Sequence, residues 1–449
     1  MLDGIINKFT GPKKKVVSSI GMQISIMTED YLHLLWRTKR LPLHLLKTTG
    51  SEPVRILHTG FYNTASGPDF FNGQIEIGGL VHSGNIEMHL KSSDWYAHGH
   101  QFDDAYSNVV LHVVYEHDKP VFIKGVPVPT VELKQFIDQA HFERTIGMTS
   151  AATPVPCANQ IRSCPAPVVW DQVEKSLFRR LERKSKELTE LGERLYNDPR
   201  KVLFHAIASS FGMKTNKLPF EELAHRLPFE RVIRAEKTQV EAIVFGAGGF
   251  LEKTAEDDYQ SKLKFDWFYH RARLSIHPAN EHSWHFKGCR PAGFPTLRLA
   301  QFATFIQRMD WSEAFWELPA RELKNGIENA LIATPSDYWR AHYHFGREKQ
   351  KPLSGSMSIS TAHVVIINSV VPFLWWLAEV TANPVFREKG VELLELLPAE
   401  KNSLLDQWKE KALKPKSAAE SQGLLELKNE FCNRKQCLNC KIGLHLLKQ

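Results

Sequence analysis

This chain has little that marks an exported, membrane-spanning or repetitive protein. Its first residues hold no uninterrupted apolar core followed by a small-residue cleavage site, so no secretory signal is expected. The most apolar run, residues 361–380, is interrupted by His363, Asn368, Ser369 and Pro372. That pattern predicts a buried, Pro-kinked helix, since a bilayer span needs about 20 apolar residues without such breaks. No low-complexity domain and no internal repeat occurs. Cysteine is sparse, with six in 449 residues and three of them at one end. This excludes a disulfide framework and leaves reduced thiols or a metal site. The expectation is a cytoplasmic, enzyme-like protein with no membrane association.

The composition is that of a soluble globular protein, 43% hydrophobic and 24% charged, which excludes general disorder. The length predicts roughly two or three domains. The formal charge is +7, but Lys8, Lys13, Lys14 and Lys15 face only Asp3 in the first 26 residues; removing that +3 leaves +4. Such a balance permits an anionic partner, DNA or RNA included, without requiring one.

Along the chain, residues 1–26 read as a basic N-terminal extension and 27–149 as an α/β domain. Tyr31, Leu32, Leu34, Leu35 and Trp36 fall at helical spacing after Thr28, an N-cap candidate, with Glu29 and Asp30 in the first turn. Residues 54–58 and 108–116 have strand character. Val126-Pro-Val-Pro129 argues against a central strand there. Pro154, Pro156, Pro165 and Pro167 make 150–168 a connector. Beyond it, 169–430 reads as a helical domain, with helices near 199–211, 219–226, 229–245, 296–308, 319–332, 361–380, 389–413 and 417–431. Residues 431–449 form a cysteine-bearing tail. The predicted fold class is α+β: a mixed α/β domain, then a mostly α-helical domain, then the cysteine cluster.

The polar chemistry concentrates in residues 67–116. Asn85, Glu87, His89 and Lys91 alternate with Ile86, Met88 and Leu90, so a strand places the four polar groups on one face. Upstream, Gln74 and Glu76 alternate with Ile75 and Ile77, and Gly78-Gly79 and Ser83-Gly84 supply turn chemistry for an antiparallel pair. Asp69 leads that pair. Two acids so placed can hold Mg²⁺ or Mn²⁺, with His89 or Lys91 assisting an attacking water. Just downstream, Asp94, His98, His100 and Asp103 lie within ten residues, and His98, His100 and Asp103 suit Zn²⁺ or Mn²⁺. The bland alternative is a set of turn caps over Trp95.

Cys432, Cys437 and Cys440 form a Cys-x4-Cys-x2-Cys run that can coordinate Zn²⁺ or an iron–sulfur cluster if Cys157, Cys164, Cys289 or His445 supplies a fourth ligand. From Lys401 onward ten Lys/Arg face five acids, an excess that suits a phosphate backbone or simply solubilises the tail. Arg290 and Arg298 sit in a loop feeding a helix, where they can grip phosphate or pair structurally.

Pro68-Asp69, seventeen intervening residues, and Glu87-Met88-His89 resemble the PD-(D/E)xK nuclease pattern, with His89 where that fold expects lysine. The resemblance implies a helix glutamate in the metal site, for which Glu29 is the matching position. The cysteine run resembles that of RecB-type iron–sulfur nucleases, with different local spacing. As a whole, TEDYLHLLW, GFYNTASGPDFFNGQIEI, GNIEMHLKSSDWYAHGH, YSNVVLHVV, RPAGFPTLRLAQFA, SQGLLELKNEFC and CLNCKIG resemble the DUF2851 family from Met27 onward. That resemblance implies a shared unit but no activity. The acidic hairpin together with its resemblance to the nuclease pattern implies a metal-dependent nuclease or nuclease-like nucleic-acid-binding protein. The alternatives are a metal-stabilised interaction scaffold and a hydrolase of small phosphorylated or amide substrates.

Overall fold

The computed structural model describes residues 27–63, 65–151, 153–349, 354–409 and 413–448; the basic extension 1–26 lies outside them. The chain divides into two compact units, one comprising Met1–Cys157 with Lys435–Gln449 and the other Ala158–Arg434. The cysteine tail therefore does not stand as a segment of its own: Cys437 and Cys440 fall in the first unit and Cys432 in the second.

In the first unit, α1 (Glu29–Arg37) buries Tyr31, Leu32, Leu34, Leu35 and Trp36, as the spacing predicts. Thr28 stands extended at the N-cap, but its hydroxyl makes no cap bond. Glu29 and Asp30 at the start and Arg37 at the end complement the helix dipole instead. The sheet runs β1 (Val54–His58), β3 (Phe70–Ile77), β4 (Leu80–Lys91), β5 (Val109–Glu116), β8 (Thr130–Glu132), with β2 (Phe61–Tyr62) also on β3. β1, β3 and β4 are antiparallel, whereas β4, β5 and β8 are parallel.

The β3–β4 turn is Gly78-Gly79, both at positive φ (58° and 82°), the backbone that a two-residue hairpin of matching twist needs. Ser83-Gly84 instead lies inside β4. A Cβ at Gly84 would sit 2.6 Å from the Asn108 carbonyl oxygen, so this glycine lets β5 approach closely. The crossover from β4 to β5 carries α2 (Asp94–Ala97) and two 3₁₀ turns, His100–Phe102 and Asp104–Tyr106. The Pro-containing stretch pairs Phe122–Ile123 (β6) with Val126–Pro127 (β7) in a small hairpin outside the main sheet. The chain's last turns return here: Arg40 donates to the carbonyls of Leu447 and Lys448 at 2.7 and 2.6 Å, and Arg37 to Asn439 Oδ1 at 2.9 Å.

The second unit is helical around one aromatic-rich core that includes Phe204, Phe211, Phe220, Phe302 and Phe305. The predicted helix 229–245 is two, Phe229–Val232 and Lys237–Ala247, because Glu236 and Gln239 form a capping box that starts a new helix. The predicted helix 389–413 is also two, Val385–Leu396 and Ser403–Lys409, separated around Pro398. The apolar run begins as Ile359–Val365, widens into a π-helical turn at Ile366–Val370, and continues as Val371–Val380. Pro372 has no N–H for the preceding turn, and the widened turn absorbs that loss. This helix meets the length and hydropathy of a membrane span, yet 78% of its most apolar window is buried inside the unit, as a core helix would be.

Candidate metal centre

β4 is buried through its middle, so Glu87 and His89 do not form the solvated polar face that alternation alone allows; they are 5% and 1% exposed. Of the alternating polar set Asn85, Glu87, His89 and Lys91, only Lys91, where the strand ends, is exposed, and its backbone N–H donates to Asp94. A buried carboxylate must be paired or neutral. Among the described residues no lysine or arginine acts on Glu87; burial, Asp69 and Glu29 together push its pKa up to about 9.

The two acids interlock across β3 and β4. The Asp69 N–H donates to Glu87 Oε2 at 3.1 Å, and the Met88 N–H donates to Asp69 Oδ2 at 2.9 Å. α1 packs on β4 and contributes two groups. His33 Nε2 lies 3.2 Å from Asp69 Oδ2, and Glu29, one helical turn before His33, is held above the ordinary carboxylate range by burial and by Asp69.

The crossover supplies the imidazoles. His100 Nε2 and His89 Nε2 lie 3.4 and 3.5 Å from Glu87 Oε1. His89 Nε2 faces His98 Nδ1 at 3.1 Å, and His89 Nδ1 faces His112 Nε2 at 2.9 Å. One consistent tautomer set passes a donated proton along His112, His89 and His98, each ring orienting the next. Burial lowers His89 to about 2 and His112 to about 3, helped in both by neighbouring imidazoles, so these rings are neutral. Tyr106 stacks on His100 at 3.8 Å, and Trp95 lies edge-on to His100 and His112. Among the described residues, His89, His98 and His100 are the group whose ligand atoms, within 4.8 Å of one another, are close enough to share an ion.

Of the residues singled out in the sequence, Glu29, Asp69, Glu87, His89, His98 and His100 meet here. Asp103 stands at the edge: it raises His100 electrostatically, but its side chain caps the Ala105 N–H at 2.9 Å. His33 and His112 belong to the cluster and were not singled out. His33 was detectable at i+4 from Glu29, whereas the pairing of His112 with Glu87 depends on a parallel register between distant strands.

The other candidates lie elsewhere. Arg290 and Arg298 belong to the helical unit, where Arg290 is exposed and Arg298 donates to Gln301 Oε1 at 3.0 Å. The Cys437 thiol is pushed up to about 11 by burial and by Cys440 beside it. None of the six cysteines is disulfide-bonded, and among the described residues no three cysteines form an ion-sharing group.

The donor set fits a divalent cation. Three carboxylates gather with no ammonium or guanidinium among the described residues to balance them, and neutral imidazoles stand within reach of the most buried one. Mixed imidazole and carboxylate ligands suit Mn²⁺ or Zn²⁺ better than Mg²⁺, which prefers all-oxygen sites.

Residues 29–403 match the family described as "Protein of unknown function (DUF2851)", and the chain belongs to that family. No curated protein and no solved structure matches it.

Proposed function

We propose that this member of the DUF2851 family is a metal-dependent nuclease-like protein acting on phosphodiester bonds of DNA or RNA, with its centre at Asp69, Glu87 and the surrounding histidines. The observation that supports this most is the buried Glu87, which shares its space with Asp69 and Glu29 and has no lysine or arginine beside it among the described residues. Asp69 and Glu87 would hold the cation, Glu29 would add negative charge, and imidazole ligands would be drawn from the His89, His98 and His100 group. When bound, the cation supplies Lewis acidity to a phosphodiester oxygen and to an attacking water.

The protein's own groups do the rest. The interlocked backbone bonds of Asp69 and Met88 fix both carboxylates before substrate arrives, so little reorganisation is needed. His112 holds the His89 ring through Nδ1, and His89 in turn orients His98.

His89 stands where a nuclease of this pattern carries lysine, and as a buried neutral ring it offers no positive charge. That observation favours a second reading, a metal-stabilised nucleic-acid-binding scaffold without catalysis. One assay separates the two. Wild-type protein with Mn²⁺ is incubated with end-labelled single- and double-stranded DNA and RNA, beside folded Asp69→Ala and Glu87→Ala variants. Cleavage by wild type alone supports the nuclease. Metal binding and substrate retention without cleavage supports the scaffold, and equal cleavage by all three removes this centre from the chemistry.

A further inference from the structure

The helical unit contains a cleft of about 620 Å³ that the metal centre does not use. It lies between the end of the Ala166–Arg194 helix, the Pro199–Phe211 and Lys217–Arg226 helices, and the π-helical turn. Its size falls within the range of small-molecule sites. Leu188, Leu191, Ala206, Met213, Val364 and Pro372 give it apolar walls.

Its polar groups are unevenly matched. Around the rim, Lys184 pairs with Glu187 at 2.9 Å, Lys217 lies 3.7 Å from Glu221, and Glu222 lies 3.9 Å from Arg226. Every carboxylate lining the cleft therefore has a cation. Arg194 and Lys214 also line it, and neither has a carboxylate partner among the described residues; the Arg194 Nε–H donates to the Glu190 carbonyl at 3.2 Å. Deeper in, His205 is buried with its ring centroid 4.4 Å from that of exposed His225. Burial, His225 and Arg194 lower His205 to about 3, so that ring is neutral and offers an N–H without bringing a charge, and the same Arg194 also lowers His225 from its ordinary value. Val364, Asn368 and Pro372, which flank or lie in the widened turn, also line the cleft, and such turns recur at functional sites.

We propose that this cleft binds a small organic anion, with its phosphate or carboxylate head held by Arg194, Lys214 and the His205–His225 pair and its apolar body on the Leu188, Leu191 and Met213 wall. The two uncompensated cations set the charge of the ligand. The apolar walls require more than a bare ion. A disordered peptide or a duplex is excluded by the cleft's volume, and the site is independent of the metal centre in the other unit.

The test is calorimetric titration of the full chain with adenosine 5′-monophosphate, octanoate and inorganic phosphate. At least one of the two organic anions is expected to bind saturably, and inorganic phosphate more weakly because it has no apolar body. Binding of the nucleotide alone identifies a phosphate head, and of octanoate alone a carboxylate head. The Arg194→Gln/Lys214→Gln variant should weaken binding about tenfold or more, as loss of charge-assisted contacts does. Ala206→Phe, which fills the floor, should abolish it. The rim variant changes only exposed side chains, so it keeps the test decisive if Ala206→Phe fails to fold. No binding of either organic anion, or binding unchanged in the rim variant, overturns the proposal. Mn²⁺ binding at the other unit should be the same in both variants, so failure here is distinguishable from failure of the metal reading.

Discussion

Replacing Glu87 by glutamine should change how the first unit responds to pH in the absence of metal. Folding raises the Glu87 pKa from an ordinary 4.5 to about 9, so between these values the native state keeps a proton that the unfolded state has released. Stability then falls as pH rises, by about 1.4 kcal/mol per pH unit for one such group. His89 and His112 act in the opposite sense and only below their ordinary 6.5: their folded pKa values are depressed, so their contribution is present above 6.5 and lost as pH falls. From pH 6.5 to 8 the Glu87 contribution amounts to about 2 kcal/mol over those 1.5 units; the remaining histidine and Glu29 contributions are common to wild type and Glu87→Gln, so the difference between the two proteins isolates it. Glutamine keeps an oxygen to accept the Asp69 N–H and has no proton to lose.

The assay is hydrogen exchange of β3 and β4 amides in chelator-treated protein at pH 6.5 and 8, corrected for intrinsic rates. Wild type should lose about 2 kcal/mol more opening free energy across this interval than Glu87→Gln does. Mn²⁺ should restore wild type at pH 8, because a ligand bound only by the native state stabilises it. It should do nothing for the variant. Equal slopes in the two proteins would refute the reasoning, since they would show that Glu87 ionises in the folded state without cost.

Three further outcomes follow from the packing. His112→Ala should destabilise the first unit by about 1–3 kcal/mol in urea unfolding, because His89 Nδ1 loses its buried partner. Gly84→Ala should cost about 1–3 kcal/mol in the same experiment, since the added methyl meets the Asn108 carbonyl and Val110. Glu426 is fully buried, with Arg183 at 2.9 Å and Arg180 at 3.5 Å; Glu426→Ala should destabilise the helical unit by about 3 kcal/mol, read by thermal unfolding, because the half-buried Arg180 loses its nearest counter-charge.

Much of this architecture could be read along the chain where the signal is local. Helical spacing of Tyr31 to Trp36, alternation through Ile75 and Met88, and a Gly-Gly turn predict α1, β3 and β4 because each depends on neighbours within a few residues. What failed was contextual. Ser83-Gly84 has turn composition, but Gly84 serves strand-to-strand approach, which only the partner strand reveals. The polar residues of β4 alternate as a solvated face does, yet the crossover and α1 bury them. His112 looks like a lone polar residue in an apolar run until the parallel β4–β5 register sets it beside Glu87. The division of Cys432 from Cys437 and Cys440 is likewise nonlocal: it arises because residues after Arg434 join the first unit through bonds to Arg37 and Arg40.

The central claim is that Asp69, Glu87 and the histidines around them hold a divalent cation, and electron paramagnetic resonance of Mn²⁺ added to chelator-treated protein measures this directly. The account predicts that wild type removes a single equivalent from the sharp six-line signal of free Mn²⁺, that Asp69→Asn/Glu87→Gln leaves that signal intact, and that His98→Ala weakens the binding. A full free-ion signal with wild type, or the same uptake by the double variant, would contradict it.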